Sequence, residues 1–150
     1  MCYGGVSARS ADGGMNEAWT MDSVGLVLTA VATQLVSRSW RVISEKIAVH
    51  RGPKSDMIVQ DPNGRRYVIE VKLGEGRAHF SEVAQVESVA NDLRGDAQGS
   101  VTPVLVTNRQ VPPSIKGVAQ TVGVEIVEAS GSERDVANAL VRHLDGHGNR

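Results

Sequence analysis

The chain is poor in several things at once. Its 150 residues include a single cysteine, Cys2. An intrachain disulfide is therefore excluded, and a structural zinc site would have to rely on histidine and carboxylates. Aromatic residues make up only 3% of a sequence that is 41% apolar, so the core must be built from Val, Ile, Leu and Ala. Net charge is −1. Such a chain is no wholesale polycation, and nucleic acid, if bound, must be held by a local patch. The most apolar run, Val24 to Val36, is interrupted by Thr29, Thr33 and Gln34 and is too short to span a bilayer. The start, MCYGGVSARSADGG, has no basic segment followed by an apolar one and is not read as a secretory signal. Together these absences give the expectation of a soluble cytoplasmic protein with no membrane partner.

What is present reads as one domain with a real core. Residues 1–18, rich in Gly, Ser and Ala, are expected to form a flexible tail, and residues 19–146 a single folded unit. A first helix from Asp22 to Arg38, capped by Thr20 or Asp22, carries Val24, Val27, Leu28, Val31 and Leu35 at helical spacing. From Trp40 to His50 the pattern changes to alternation, with Ile43, Ile47 and Val49 on one strand face. Glu45 has the same parity. Either a bulge releases it to water or it is a further acid near a site.

A hairpin follows around Asp61-Pro62-Asn63-Gly64. A second helix is expected from Ser81, with Gly95 as its stop, and an apolar strand over Val101–Thr107. Pro112-Pro113 opens a third helix, and Val124–Val127 is another strand. A last helix starts at Ser132, with Asp135 completing a capping box. Strands joined by short turns form an antiparallel meander, and the later strand-helix-strand unit demands a parallel, right-handed crossover. The expected fold is α/β: a mixed central sheet with helices on both faces.

The stretch Gly52–Lys72, GPKSDMIVQDPNGRRYVIEVK, is where chemistry concentrates. Alternation puts Glu70 and Lys72 on one strand face and Ile69, Val71 and Leu73 on the other. Asp56 lies across the hairpin. It shares a face with Glu70 only if the two strands pair in the right parity, which a turn of three or five residues permits and an even turn does not. Brought together, Asp56 and Glu70 suit a hard divalent ion such as Mg²⁺, with the Val71 carbonyl as a third oxygen. Lys72 cannot ligate as an ammonium but can orient a water. The plainer reading of the same residues is a cross-strand ion-pair ladder worth about 0.2–1 kcal/mol per pair. Against it, Glu70 and Lys72 lie within YVIEVKL, apolar enough for a buried strand where bare charges are costly.

Asp56, a gap of thirteen residues, then Glu70-Val71-Lys72 resembles the signature of the PD-(D/E)xK nuclease superfamily. The element order is similar to that superfamily's restriction-endonuclease-like αβββαβ core, over roughly residues 22 to 128, with an extra C-terminal helix. The resemblance implies Mg²⁺-dependent (or Mn²⁺-dependent) endonuclease cleavage of DNA phosphodiesters. It casts Asp56 and Glu70 as metal ligands, Lys72 as the catalytic lysine and Gln85, on the following helix, as a helper. The chain departs from the pattern in three places. Ser55 stands where many members have proline, and Val89 stands four residues after Gln85 where some have tyrosine. The helix Asp22–Arg38 also has no glutamate, leaving Glu17, Asp22 or Glu45 to replace it, or a single metal. The alternative is a non-catalytic DNA-binding or assembly module of the same fold.

Basic residues outnumber acidic ones nine to five between Arg38 and Arg77. Arg51, Lys54 and Arg77 flank the cradle as phosphate contacts, and His79 lies near enough to join them. Cutting both strands of a duplex with one site per chain favours a homodimer or a partner subunit that supplies specificity. His143 and His147 have a metal-like spacing, but Gly146 is expected to end the helix between them, which favours a frayed terminus over a ligand pair.

Overall fold

The structure is a computed structural model that describes residues 21–45, 55–96 and 99–148. The elements run α1 (Met21–Val36), β1 (Arg41–Glu45), β2 (Met57–Gln60), β3 (Arg66–Lys72), α2 (Phe80–Asp96), β4 (Val101–Thr107), α3 (Pro113–Val122), β5 (Glu125–Glu128) and α4 (Glu133–Gly148). This is the expected order. One sheet holds all five strands in the order β1-β2-β3-β4-β5. β1, β2 and β3 pair antiparallel, while β3, β4 and β5 pair parallel through α2 and α3.

Each face of the sheet has its own apolar layer, as period-two alternation requires. Met57, Val59, Tyr67, Ile69, Val71, Val104 and Val106 pack with Val27, Val31 and Leu35 of α1 and with Val136, Leu140 and Leu144 of α4. Val68, Val101 and Leu105 pack on the other face with Val83, Val86 and Ala90 of α2 and with Ala119 of α3. β3 and β4 are therefore sandwiched, which is why their sequences are nearly continuous runs of Val, Ile and Leu.

Four local expectations need correction. Ile43, assigned to a buried strand face, is 39% exposed. The β1–β2 register slips between Val42 and Ser44, so Ile43 is the extra residue of a bulge and parity changes across it. The second helix begins at Phe80 rather than with Ser81 as its cap. The N–H of His79 donates to Glu82 Oε1 at 2.8 Å, so His79 occupies the cap position and Glu82 closes the turn from three residues on. Gly95 lies inside that helix rather than ending it. Gly146 does not end α4 either: the helix continues to Gly148. A single glycine costs a helix about 1 kcal/mol, which the packing of Leu140 and Leu144 against the sheet offsets. Lys46–His50 of the expected first strand lie outside the described residues.

The proline start of α3 is as expected, with Pro112 at the cap and Pro113 in the first turn. So is the capping box of α4. The Ser132 N–H donates to Asp135 Oδ2 at 2.8 Å, and the Asp135 N–H donates to Ser132 Oγ at 3.2 Å.

Candidate active site

The turn between β2 and β3 decides whether the two acids meet. Gln60 pairs with Arg66, leaving the five residues 61–65 as the connection. Asp61 organises it: Oδ1 accepts the N–H groups of Asn63 and Arg65, each at 2.9 Å, and Oδ2 binds Arg65 Nε at 2.8 Å. An aspartate that accepts local backbone N–H groups is the usual means of fixing such a turn. The ladder then runs Ile58↔Val68 and Met57↔Ile69. Asp56 stands just before β2, beyond the last paired residues, and its N–H donates to the Ile69 carbonyl at 3.1 Å, which holds it against β3.

Both acids are buried, Asp56 at 2% and Glu70 at 4% exposure. Asp56 Oδ2 accepts the Val71 N–H at 2.8 Å, which ties this acid to the strand bearing Glu70 and Lys72. Within a strand a residue's N–H and C=O point to the same neighbour. The Val71 carbonyl therefore lies on the Asp56 side of β3, where a third oxygen ligand belongs. Lys72 Nζ sits 3.1 Å from Glu70 Oε2 and remains partly open to solvent. In the parallel register Glu70 pairs with Leu105 and Lys72 with Thr107, so the group lies on the α2 face, toward the C-terminal ends of β3 and β4. Clefts beyond the carboxyl ends of parallel strands are where ligands bind in open α/β sheets.

Gln85 is half-buried on α2, the helix that covers this face. Arg77 and His79 are exposed in the segment leaving β3, and Arg77 bridges to Gln110. Arg51, Lys54 and Glu17 lie outside the described residues. No glutamate occurs in α1. Asp56, Glu70, Val71 and Lys72 are thus brought together, and Gln85 lies on the helix above them.

Two residues at this end were not singled out in the sequence. Arg109, just past β4, binds Glu82 Oε2 through Nη1 at 2.7 Å and the Leu73 carbonyl through Nη2 at 3.3 Å. Asn108 Oδ1 accepts the Gly74 N–H at 3.0 Å. These bonds join the segment after β3 to the segment after β4. The only sequence signal was Glu82, placed three residues after the start of an apolar helical pattern. Phe80, the sole phenylalanine, is 58% exposed in the first turn of α2.

Two buried carboxylates and a strand carbonyl on one side form a set of hard oxygen donors. That set fits Mg²⁺, which takes one or two carboxylates and keeps several waters.

The sequence matches no protein-family model and no curated protein. Solved structures similar to this one include a repair endonuclease from Pyrococcus abyssi, at TM-score 0.54 and 16% identity, covering 77% of this chain and 50% of that one. EndoMS, in a complex with double-stranded DNA, gives TM-score 0.55 and 17% identity, covering 79% and 47%. A protein of unknown function gives 0.52 and 19%, covering 80% and 67%. The chain spans about half the length of the two nucleases. Its five-stranded mixed sheet with four helices is a restriction-endonuclease-like α/β fold, shared with these structures. No helix among the described residues is long and apolar enough to cross a membrane.

Proposed function

We propose that this chain is a Mg²⁺-dependent endonuclease that hydrolyses DNA phosphodiester bonds, with Mn²⁺ able to substitute. The observation that carries the reading is the burial of two acids beside one stretch of β3: Asp56, which accepts the Val71 N–H, and Glu70, which pairs with Lys72. A plain ion-pair ladder needs neither that burial nor a second buried acid beside the first. The fold likeness to a repair endonuclease and to a nuclease bound to DNA supports it.

When bound, the metal would supply a water of lowered pKa and withdraw charge from the phosphate oxygens. Asp56, Glu70 and the Val71 carbonyl hold it. Lys72, beside Glu70 and partly solvent-exposed, orients the attacking water through an N–H and places positive charge near the scissile phosphate. Gln85 positions water or phosphate from α2. Arg51, Lys54, Arg77 and His79 contact the DNA backbone, and the exposed ring of Phe80, next after His79 in the chain, offers a stacking surface. Cleavage of both strands requires two copies of the site, hence a homodimer or a partner subunit.

The test is incubation of the protein with linear, nicked, branched and single-stranded DNA, with Mg²⁺ or Mn²⁺ against EDTA. Cleavage that needs the metal and disappears in Asp56→Ala, Glu70→Ala and Lys72→Ala is the expected result. DNA binding without cleavage, equal in wild type and all three variants, would instead establish a non-catalytic DNA-binding module. Support for that outcome comes from the lack of a glutamate in α1.

A further inference from the structure

On the opposite face of the sheet a second group of potential ligands converges, unrelated to the acids above. α4 continues through Gly146, so His143 and His147, four residues apart, lie on one side of one helix. Their Nε2 atoms each approach Oε1 of Glu125, at the start of β5, to 2.6 Å. Glu125 pairs in register with Val104, whose side chain belongs to the α1/α4 layer, whereas Glu70 pairs with Leu105 in the α2/α3 layer. The sheet separates the two groups.

The geometry points to a site for a divalent transition metal of the zinc class, held by Glu125, His143 and His147, with its fourth position open to water. Two imidazole nitrogens and one carboxylate oxygen are the donor set that zinc takes in three-ligand sites with a free position. Their ligand atoms all lie within 4.8 Å of one another. A tetrahedral ion with metal–nitrogen bonds of about 2.0–2.1 Å needs its donors about 3.3 Å apart. The present 2.6 Å contacts would therefore open by roughly 0.7 Å, within the reach of side-chain torsions. The ligand side chains are 16–31% exposed, which leaves a path for the ion and its water.

The surroundings hold the site in place. His147 meets the ring of Tyr67 edge-on, with centroids 5.4 Å apart, and Tyr67 in turn packs on Trp40 at 5.4 Å. His143 and His147 lie edge to face at 5.4 Å. A pair of simple imidazole–carboxylate hydrogen bonds is the competing account of these contacts. The two accounts differ in one respect: a metal replaces both Nε2 protons, so binding releases protons and changes affinity with pH. Imidazole and carboxylate donors favour zinc-class ions over Mg²⁺, so this site and the oxygen-rich one call for different metals. Bound there, the ion would fasten the last turn of α4 to an edge strand.

The experiment uses the full chain, stripped with chelator and titrated with Zn²⁺ in excess Mg²⁺, followed by calorimetry and thermal unfolding. A parallel titration with Co²⁺ reads coordination from its ligand-field absorption. One equivalent of Zn²⁺ should bind and raise Tm, and Co²⁺ should give the intense bands of a four-coordinate site. His143→Ala, His147→Ala and Glu125→Gln should each weaken binding by more than about 100-fold, beyond the loss typical of an outer-shell partner. Glu125→Gln keeps an acceptor for both imidazoles and so preserves the packing. Asp56→Ala with Glu70→Ala should leave Zn²⁺ binding intact, which separates this site from the proposed nuclease centre. Absence of Zn²⁺ binding in the wild-type protein, or binding that all three ligand variants retain, would overturn the assignment.

Discussion

Arg109 and Glu82 meet at 2.7 Å between the segment after β4 and the first turn of α2, and each is largely buried. Glu82 thereby has two tasks, since its other oxygen holds the His79 N–H. Removing either partner leaves the other charge in a poorly solvated place, at a cost of about 3 kcal/mol. Arg109→Ala and Glu82→Ala should each lower urea stability by that order. The double variant should lose much less than the sum, because the second truncation removes a charge already stranded. Additive losses would mean that the two side chains are not coupled. Arg109→Lys should restore little, since lysine cannot span Glu82 and the Leu73 carbonyl with one planar fork.

Asp56, bonded to the Val71 N–H, and Glu70, the residue before Val71, are both buried, and like charges held near one another away from water are unfavourable. A divalent ion relieves that repulsion. Mg²⁺ at one hundred times its Kd should stabilise the wild-type protein by about 2.7 kcal/mol, read as a rise in Tm. Asp56→Asn and Glu70→Gln should abolish the rise. Lys72→Met should keep most of it while losing cleavage by about 10²–10⁴-fold, the range of a lost acid–base or orienting group. The same Tm rise in wild type and both acid variants would place Mg²⁺ elsewhere.

The alternation within YVIEVKL was enough to assign the two faces of β3, because a strand buried on both sides obeys period two without interruption. Asp61 made the odd-length turn readable only as one of two options. Its side chain selects that option through bonds to Asn63 and Arg65, which the residue order alone does not disclose. Long-range pairings were out of reach. Glu125 lies eighteen residues from His143, and only the crossover through α3 brings β5 under α4. Gly146 misled for a different reason: propensity is local, and the packing of α4 on the sheet outweighs it.

The capping box of α4 gives the stability curve a definite sign at acid pH. The backbone N–H of Ser132 and then its hydroxyl hold the Asp135 carboxyl below the ordinary aspartate range, slight burial opposing them and the Arg134 charge helping. A carboxyl depressed on folding adds stability that is fully present above its unfolded pKa of about 3.9 and is lost as pH falls through the folded value. Wild type should therefore lose stability more steeply than Asp135→Asn, which does not titrate, as pH falls below about 4. Parallel curves of urea midpoint against pH for the two proteins would show that the box does not report the charge of Asp135.

The bulge in β1 inverts what residue parity suggests about two neighbouring positions. Ile43 is 39% exposed, while Val59, in register with Val42 across the same ladder, is fully buried against α1 and α4. Ile43→Thr keeps a β-branched side chain on a strand and removes little buried surface. It should change stability by less than about 0.5 kcal/mol, as surface substitutions do. Val59→Ala opens a cavity in the layer under both helices and should cost about 2 kcal/mol or more. If β1 instead ran on from Val42 without the extra residue, Ile43 would stand opposite Ile58 and face the α2 layer, and its replacement by threonine would cost about 1 kcal/mol or more. Urea denaturation of the two single variants, compared at equal m-value, decides between these registers.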